Sequence, residues 1–208
     1  MIITKIERQK RNKTRCSVFV DDLYAFSVSE EVYARFLLHT GQELTPEERK
    51  RIEQAEADAT VKQVALRFRS FRPRSTKEVT DHLRKKGYDG TQIASAVAFL
   101  TENKLLDDAG FARMVCRDRM LLRPIGRQSM KQLLYRKGID REVVESVLQD
   151  TFNGETERAL ALKEAERKLK RIRTQPPLQQ KKRIYEHLLR RGYEPSLAMN
   201  ITTQLVGS

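Results

Sequence analysis

The chain has little of what secreted, metal-dependent and membrane proteins depend on. Its 208 residues include two cysteines, three histidines and no tryptophan. Cys16 and Cys116 lie outside any metal-ligand spacing, which argues against a disulfide framework or zinc site and indicates a reduced, cytoplasmic protein. No apolar run reaches the roughly 20 residues of a transmembrane helix, and the first residues lack the apolar core of a signal peptide. We therefore expect no membrane association.

Motifs of catalysis and cofactor binding are also missing from the sequence. It has no glycine-rich phosphate loop and no Gly-x-Ser-x-Gly nucleophile turn. His82 and His187 each precede a glycine by five residues, and an equivalent segment has Leu133 there, which favours half-buried packing over metal binding. Asp107 and Asp108 are better explained as helix-start residues than as a carboxylate pair. We expect a protein that is not an enzyme and needs no cofactor or metal.

Basic residues, by contrast, are abundant and unevenly distributed. The formal net charge is +13, from 41 Lys and Arg against 28 Asp and Glu. Residues 1–59 carry a net charge of −1, whereas residues 60–208 carry +14. Solubility alone does not require this asymmetry, so a polyanion such as nucleic acid, or an acidic protein surface, is the expected partner.

A helical segment that ends in two basic residues and a glycine occurs three times. The glycines are Gly87, Gly138 and Gly192, which lie 51 and 54 residues apart. A fixed period near fifty is typical of a stacked array of one supersecondary unit. Each glycine is expected to end its helix with a positive φ angle. Tyr88 and Tyr193, which follow two of them, are expected to close the helix end by hydrophobic contact rather than to stack on bases.

Strand signals are confined to the first thirty residues. Segments 15–20 and 23–28 are rich in β-branched and aromatic residues and flank Asp21-Asp22, a pattern typical of a β-hairpin. Residues 2–7 have a similar composition, which is compatible with a third strand. Between them, residues 9–13 form a polar, basic connection.

Helix signals occupy the rest of the chain. A short helix should run from Ser29 to about Leu38, and a long one should begin at Thr45-Pro46 with a capping box. The sequence predicts a mainly α protein: three tandem three-helix repeats in a curved array, preceded by a small N-terminal β-hairpin plus helix module. The expected boundaries are 1–58 for this module and 59–106, 107–153 and 154–208 for the repeats.

The basic pairs lie in the last turn of a helix, where the helix dipole favours a cation by roughly 0.3–1 kcal/mol. That effect explains one pair, but not the surrounding excess, such as Arg119 or the stretch 163–191 with its 11 Lys and Arg against 3 Glu. Replacing Arg136 and Lys137 by Gln should therefore weaken binding and leave stability nearly unchanged. The candidate partner-binding residues are Arg72, Arg74, Lys85, Lys86, Arg123, Arg127, Arg136, Lys137, Lys170, Arg171, Arg173, Lys181, Lys182, Arg190 and Arg191.

Several motifs in a fixed order carry a resemblance to a known family. They are Arg72-Pro73-Arg74-Ser75-x-x-Glu78-Val79, then Leu105-Leu106-Asp107-Asp108-x-x-Phe111-Ala112, then Ile125-Gly126-Arg127. Over residues 60–152 the chain resembles the bacterial RecX regulatory proteins, and the third repeat resembles them more loosely. The resemblance implies three tandem three-helix repeats and no catalytic residues.

The resemblance also implies a function. RecX-like proteins bind along or at the end of the RecA–DNA filament and restrain its ATPase, strand exchange and coprotease activities, and some bind DNA themselves. The expected role is thus regulation of RecA in DNA repair, homologous recombination and the SOS response. The partners would be the RecA filament and single- or double-stranded DNA, and the protein would be a monomer. Two alternatives stay open: a stand-alone, architectural nucleic-acid-binding module, and a scaffold that binds acidic proteins.

Overall fold

A computed structural model describes residues 1–207, which form two compact units. One unit comprises Met1–Pro73 and Val79–Leu106, and the other comprises Arg74–Glu78 and the chain from Asp107 onward. The strands are β1 (Ile3–Arg8), β2 (Arg15–Val20) and β3 (Leu23–Ser29). The helices are α1 (Glu30–Arg35), α2 (Pro46–Ser70), α3 (Thr76–Lys85), α4 (Gly90–Glu102), α5 (Asp108–Leu122), α6 (Arg127–Arg136), α7 (Arg141–Thr151), α8 (Gly154–Ile172), α9 (Pro177–Arg190) and α10 (Pro195–Val206).

The three strands form one antiparallel sheet in the order β1-β2-β3. Asp21 and Asp22 both have positive φ angles and make the predicted hairpin turn between β2 and β3. One face of the sheet is buried, with Val18 and Val28 packed in a core that also contains Ile52 of α2. The hairpin prediction is confirmed, and the third strand that the composition allowed is present.

Helix α1 ends at Arg35 rather than near Leu38 as predicted. Leu37 adopts a positive φ of 48° just after the helix, and this turn redirects the chain. Leu38 is thereby buried in the core under the sheet. Burial of one leucine at this position explains why the helix stops a turn early.

Helix α2 is a single helix of 25 residues that serves two cores. Its first half buries Ile52 beneath the sheet, whereas Val61 and Ala65 belong to the core of the first repeat. The Arg15 guanidinium of β2 lies 2.8 Å from the Glu56 carboxylate, and the Ser29 N–H of β3 donates to Glu56 at 2.6 Å. Glu56 therefore connects both strands to α2. The predicted boundary at residue 58 lies inside this helix.

Each set of three helices encloses its own apolar core. Val79, Leu83 and Leu100 are fully buried in the first core, together with the second half of α2. The second core is built on α5, α6 and α7, and the third on α8, α9 and α10. The predicted mainly α fold with three tandem three-helix repeats is confirmed.

The start of α3 is held by two hydrogen bonds in the unit that contains α5 and α6. The Thr76 backbone N–H donates to the Asp108 carboxylate at 2.8 Å, and the Ser75 hydroxyl donates to the carbonyl of Lys137 at 2.7 Å. The first N–H groups of a helix have no partner within the helix, so they are available for such contacts. We call this pair of hydrogen bonds a joint.

A second joint repeats the arrangement one period later. The Arg127 backbone N–H, at the start of α6, donates to the Glu157 carboxylate at 2.9 Å. The Gly126 N–H donates to the carbonyl of Arg191 at 2.8 Å. Both joints use the same two kinds of acceptor: a carboxylate near the start of one helix, and the backbone carbonyl just before a repeat glycine. In each joint, these acceptors bind hydrogen-bond donors at the start of a middle helix. The period in the sequence therefore reflects how the repeats are joined.

The repeat glycines meet different surroundings although all three have the predicted positive φ angles, between 77° and 89°. A Cβ atom added at Gly87 would meet nothing within 4 Å. At Gly138 it would lie 2.3 Å from the Lys77 side chain, and at Gly192 2.5 Å from the backbone nitrogen of Ser129. Gly138 and Gly192 thus satisfy both a backbone angle and a close approach.

Neither a membrane span nor a metal cluster occurs in the described part of the chain. No helix within residues 1–207 combines the length and apolarity needed to cross a bilayer. No three His, Cys, Asp or Glu side chains in this range are grouped so as to hold a metal ion. Cys16 and Cys116 are both buried as free thiols, and burial raises the pKa of Cys116 to about 11.

Candidate functional site

A basic cleft of about 640 Å³ lies between α5, α8 and α9 in the second compact unit. Its wall carries six basic side chains, one histidine, one carboxylate and one leucine. These residues are Arg119, Leu122, Arg123, Glu164, Arg167, Lys168, Arg171, His187 and Arg191. We call it the basic cleft.

Helix periodicity places these side chains together. Glu164, Arg167, Lys168 and Arg171 follow the spacing i, i+3, i+4 and i+7, which aligns them on one face of α8. Asn153 caps this helix by accepting a hydrogen bond from the Thr156 N–H at 2.7 Å. The other two walls each contribute a pair of residues four apart, which also share a face: Arg119 and Arg123 from the end of α5, and His187 and Arg191 from the end of α9.

Glu164 is a buried carboxylate that contacts three of the side chains lining the cleft. Its side chain is 3% exposed, and its two oxygens lie 3.0 Å from Arg167 Nη1 and 3.2 Å from Arg191 Nη2. His187 Nε2 lies 3.4 Å from the same carboxylate. A buried carboxylate is tolerated only where opposite charges and hydrogen bonds compensate for lost hydration. Glu164 therefore fixes two guanidinium groups and one imidazole at the cleft wall.

Within residues 1–207, the remaining basic residues of the cleft have no acidic partner. Among residues 1–207, none of Arg119, Arg123, Lys168 and Arg171 forms an ion pair within 4.0 Å. Six cations thus surround a single carboxylate. Such an excess in a concave site concentrates positive potential and favours a bound anion.

His187 is held mainly in its neutral form. Burial lowers its pKa, and the positive charges of Arg191 and Lys168 lower it further, whereas Glu164 opposes the shift. An anion bound in the cleft would reverse this balance, because it would favour the imidazolium. His187 can therefore add a seventh positive charge when the pH falls or when an anion arrives. His82, at the equivalent repeat position, instead stacks on Phe68 with ring centroids 3.8 Å apart.

Three of the fifteen candidate residues line the basic cleft: Arg123, Arg171 and Arg191. Sequence reasoning missed Glu164 and interpreted His187 as a packing residue. It noted Arg119, Arg167 and Lys168 only as part of the general basic excess. The i, i+3, i+4, i+7 spacing on α8 was the signal that could have found most of them. The contribution of α9 could not be inferred, because it depends on how α8 and α9 pack.

Three other candidates take part in the joints or lie beside them. The Lys137 ammonium lies 2.5 Å from Glu78 Oε1, and Arg74 lies 3.8 Å from the other Glu78 oxygen. Arg127 donates through Nη1 to the carbonyl of Phe152 at 3.5 Å. These contacts give the side chains a structural role whatever else they bind. Contrary to the sequence-based expectation, the Arg136→Gln/Lys137→Gln variant should therefore lose some stability, because it removes the Lys137–Glu78 ion pair.

The other nine candidates lie on the surface. Lys85, Lys86, Arg136, Lys170, Arg173 and Lys182 are exposed, and no ion pair involves them in the described chain. Arg72 donates to the adjacent Pro73 carbonyl at 3.0 Å, Arg190 lies 3.8 Å from Glu186, and Lys181 is half-buried.

Tyr193 is only 2% exposed, so it closes its helix end by hydrophobic contact and cannot stack on a base.

The fold defines a helical-repeat protein with a small β-sheet module at its N-terminus. Four family models match the chain in this order. The Regulatory protein RecX N-terminal domain matches residues 1–45, and the first, second and third three-helix domains of RecX match residues 62–100, 107–148 and 155–201.

Curated relatives and solved structures agree with these matches. Regulatory protein RecX of Lactobacillus delbrueckii subsp. bulgaricus is 35% identical over 99% of this chain and 75% of its own length. The Clostridium beijerinckii relative of the same name is 31% identical over 98% of this chain and 95% of its own length. The chain belongs to the RecX family of regulatory proteins.

Two crystal structures share the fold. One, described as regulatory protein RecX, superposes with a TM-score of 0.81 at 26% identity and covers 99% of this chain and 98% of its own. The other, RecX from Lactobacillus salivarius, has a TM-score of 0.66 at 24% identity and covers 73% of this chain and 97% of its own.

Proposed function

We propose that the protein is a non-enzymatic regulator of the RecA recombinase that binds the RecA–DNA filament through the basic surface of its helical repeats. The observation that carries the proposal is the basic cleft, with six cations around one buried carboxylate, in a chain of the RecX family. The same role would place the protein in the cytoplasm, in DNA repair, homologous recombination and the SOS response.

The cleft has the chemistry to bind a phosphate backbone. Arg119, Arg123 and Arg171 present planar guanidinium groups, which bind phosphate oxygens in bidentate geometry. Because they have no partner in residues 1–207, a ligand would not have to displace one. Each phosphate that a cation neutralises releases counterions, so binding should weaken steeply with salt and depend little on sequence.

The test is RecA-catalysed ATP hydrolysis on single-stranded DNA, titrated with this protein. We expect inhibition at protein concentrations too low to coat the DNA, and loss of inhibition in an Arg119→Gln/Arg171→Gln variant. The matched control is Lys50→Gln/Arg51→Gln, which removes two exposed cations from α2. Unchanged ATP hydrolysis with the native protein would refute RecA regulation. Equal loss in both variants would refute the role of the cleft.

A stand-alone nucleic-acid-binding module is the second candidate. It is favoured by exposed cations outside the cleft, such as Lys85, Lys86 and Arg136, which form no ion pair in the described chain. Tight, salt-sensitive binding to DNA without any effect on RecA would support it. Absence of DNA binding at low salt would eliminate it and leave an acidic protein surface as the partner.

A further inference from the structure

The outer face of the N-terminal sheet carries a row of aromatic and basic side chains. Strand pairing places Lys5 opposite Phe19 and Phe19 opposite Tyr24, so the three side chains lie side by side across β1, β2 and β3. The rings of Phe19 and Tyr24 meet edge to face with centroids 6.0 Å apart, and the Lys5 ammonium lies 5.8 Å from the Phe19 ring. Tyr24 is 61% exposed.

Hydrogen bonds hold this face in place. The Tyr24 hydroxyl lies 2.9 Å from the Ser27 hydroxyl, and the Gln9 amide donates to Ser27 at 2.9 Å and to Ser17 at 3.2 Å. A tyrosine fixed through its hydroxyl offers its ring to solvent with little loss of side-chain entropy on binding.

A basic loop borders the same face. Residues 8–15 contain five Lys or Arg and no acidic residue. Arg8 and Arg15 are engaged by Glu30 and Glu56, whereas Lys10, Arg11 and Lys13 are exposed and without an ion pair anywhere in residues 1–207. The loop and the Phe19 ring together line a depression of about 560 Å³.

The loop has a defined conformation. The Asn12 side chain accepts hydrogen bonds from the N–H and the hydroxyl of Thr14, at 3.2 Å and 2.7 Å. The Gln9 N–H donates to the carbonyl of Arg15 at 3.0 Å and closes the base of the loop. The three free cations are thus presented by an ordered turn rather than by a loose tail.

We propose that this face binds single-stranded nucleic acid, with a base stacked on Tyr24 beside Phe19 and the backbone phosphates on Lys10, Arg11 and Lys13. Stacking on an exposed ring requires an unpaired base, which a duplex does not offer. A cationic loop beside an aromatic surface is the combination that binds single strands without sequence preference. Glu7 is the carboxylate in the depression, and Lys5 neutralises it at 2.5 Å. The proposal does not depend on RecA.

The chain contains no tryptophan, which allows a direct test in the full-length protein. Tyr24→Trp places one fluorophore on the proposed face, and Leu23→Trp places one on the neighbouring residue of the same strand. Leu23 is 74% exposed but pairs with Val20, whose side chain is buried, so it belongs to the opposite face. We expect oligothymidylate to quench the fluorescence of Tyr24→Trp in a saturable manner and to leave Leu23→Trp nearly unchanged. Equal quenching of both would overturn the proposal.

Affinity measurements separate the two parts of the site. Tyr24→Ala should weaken binding to oligothymidylate by about five-fold or more, and Tyr24→Phe should not, because one stacked base contributes about 1–3 kcal/mol. Replacing Lys10, Arg11 and Lys13 by Gln should lower the slope of log K against log salt by about 2, at about 0.7 per phosphate contact. Tyr24→Ala should not alter binding to a duplex of the same length, because a duplex offers no unpaired base to stack on the ring. Equal weakening for duplex and single strand would refute recognition of unpaired bases.

Discussion

Alanine substitutions at the repeat glycines test how the repeats are joined. Gly87→Ala and Gly192→Ala make the same chemical change at equivalent positions, both with φ above 80°. An L-residue in this left-handed region costs roughly 1–2 kcal/mol. If the backbone angle were the whole reason for glycine, the two variants would lose the same free energy of unfolding.

The surroundings predict a difference between them. At Gly192 the new Cβ would lie 2.3 Å from the Ser129 hydroxyl oxygen and 2.5 Å from its backbone nitrogen, so the start of α6 would have to move. Overpacking of this kind costs about 1–3 kcal/mol. The movement would also strain the hydrogen bonds from Gly126 to the Arg191 carbonyl and from Gln128 to the Gly192 carbonyl, at 2.8 Å and 3.2 Å.

We therefore expect Gly87→Ala to lower the free energy of unfolding by about 1–2 kcal/mol and Gly192→Ala by about 2–5 kcal/mol. The measurement is urea denaturation followed by far-ultraviolet circular dichroism, with both variants fitted to a common slope. Gly138→Ala, whose Cβ would meet Lys77 at 2.3 Å, should resemble Gly192→Ala. Equal losses at all three glycines would refute the idea that close packing at the joints requires them.

Three further predictions follow from individual side chains. Arg136→Gln should leave stability unchanged, whereas Lys137→Gln should lower it by about 1 kcal/mol because Glu78 loses the Lys137 ammonium 2.5 Å away; thermal melting of the two variants separates them. The pKa of His187 is lowered in the folded protein, so the folded state binds fewer protons and stability should fall as the pH drops below about 6.5. His187→Gln should reduce that loss in denaturation titrations between pH 5 and 8. Tyr193→Phe should be neutral or stabilising by up to about 1 kcal/mol in the same assay, because the buried hydroxyl has no hydrogen-bond partner in residues 1–207.

Local signals account for what the sequence could predict. The hairpin at Asp21-Asp22, the caps at Thr45 and Asp107 and the positive φ at the repeat glycines each depend on a few neighbouring residues. The mainly α fold with three repeats follows from their regular recurrence. Helix α1 was predicted too long because the burial of Leu38, which depends on the sheet, stops it.

Contacts between distant residues account for what the sequence could not predict. Asp108 was interpreted as a residue of its own helix start, yet its carboxylate accepts from Thr76 at 2.8 Å, 32 positions earlier. Lys137 was grouped with Arg136 as a surface pair, yet it lies 2.5 Å from Glu78. Charge patterns give the sign of a surface but not the partner of a given side chain, because that partner is set by packing.

The three basic pairs before the repeat glycines differ in how much of each pair takes part in the fold and how much is exposed for binding. In the second and third pairs, Arg136 and Arg190 are exposed, whereas Lys137 and Arg191 are half-buried and their carbonyls accept the joint hydrogen bonds. In the first pair both lysines are exposed, and Gly87 next to them has open space around its Cα. The dipole of α3 alone would favour this pair by less than about 1 kcal/mol per residue.

Lys85→Gln/Lys86→Gln is therefore the substitution that should separate binding from folding most cleanly. A weaker interaction with the RecA filament at nearly unchanged melting temperature supports a partner contact. An unchanged interaction would exclude Lys85 and Lys86 from the contact.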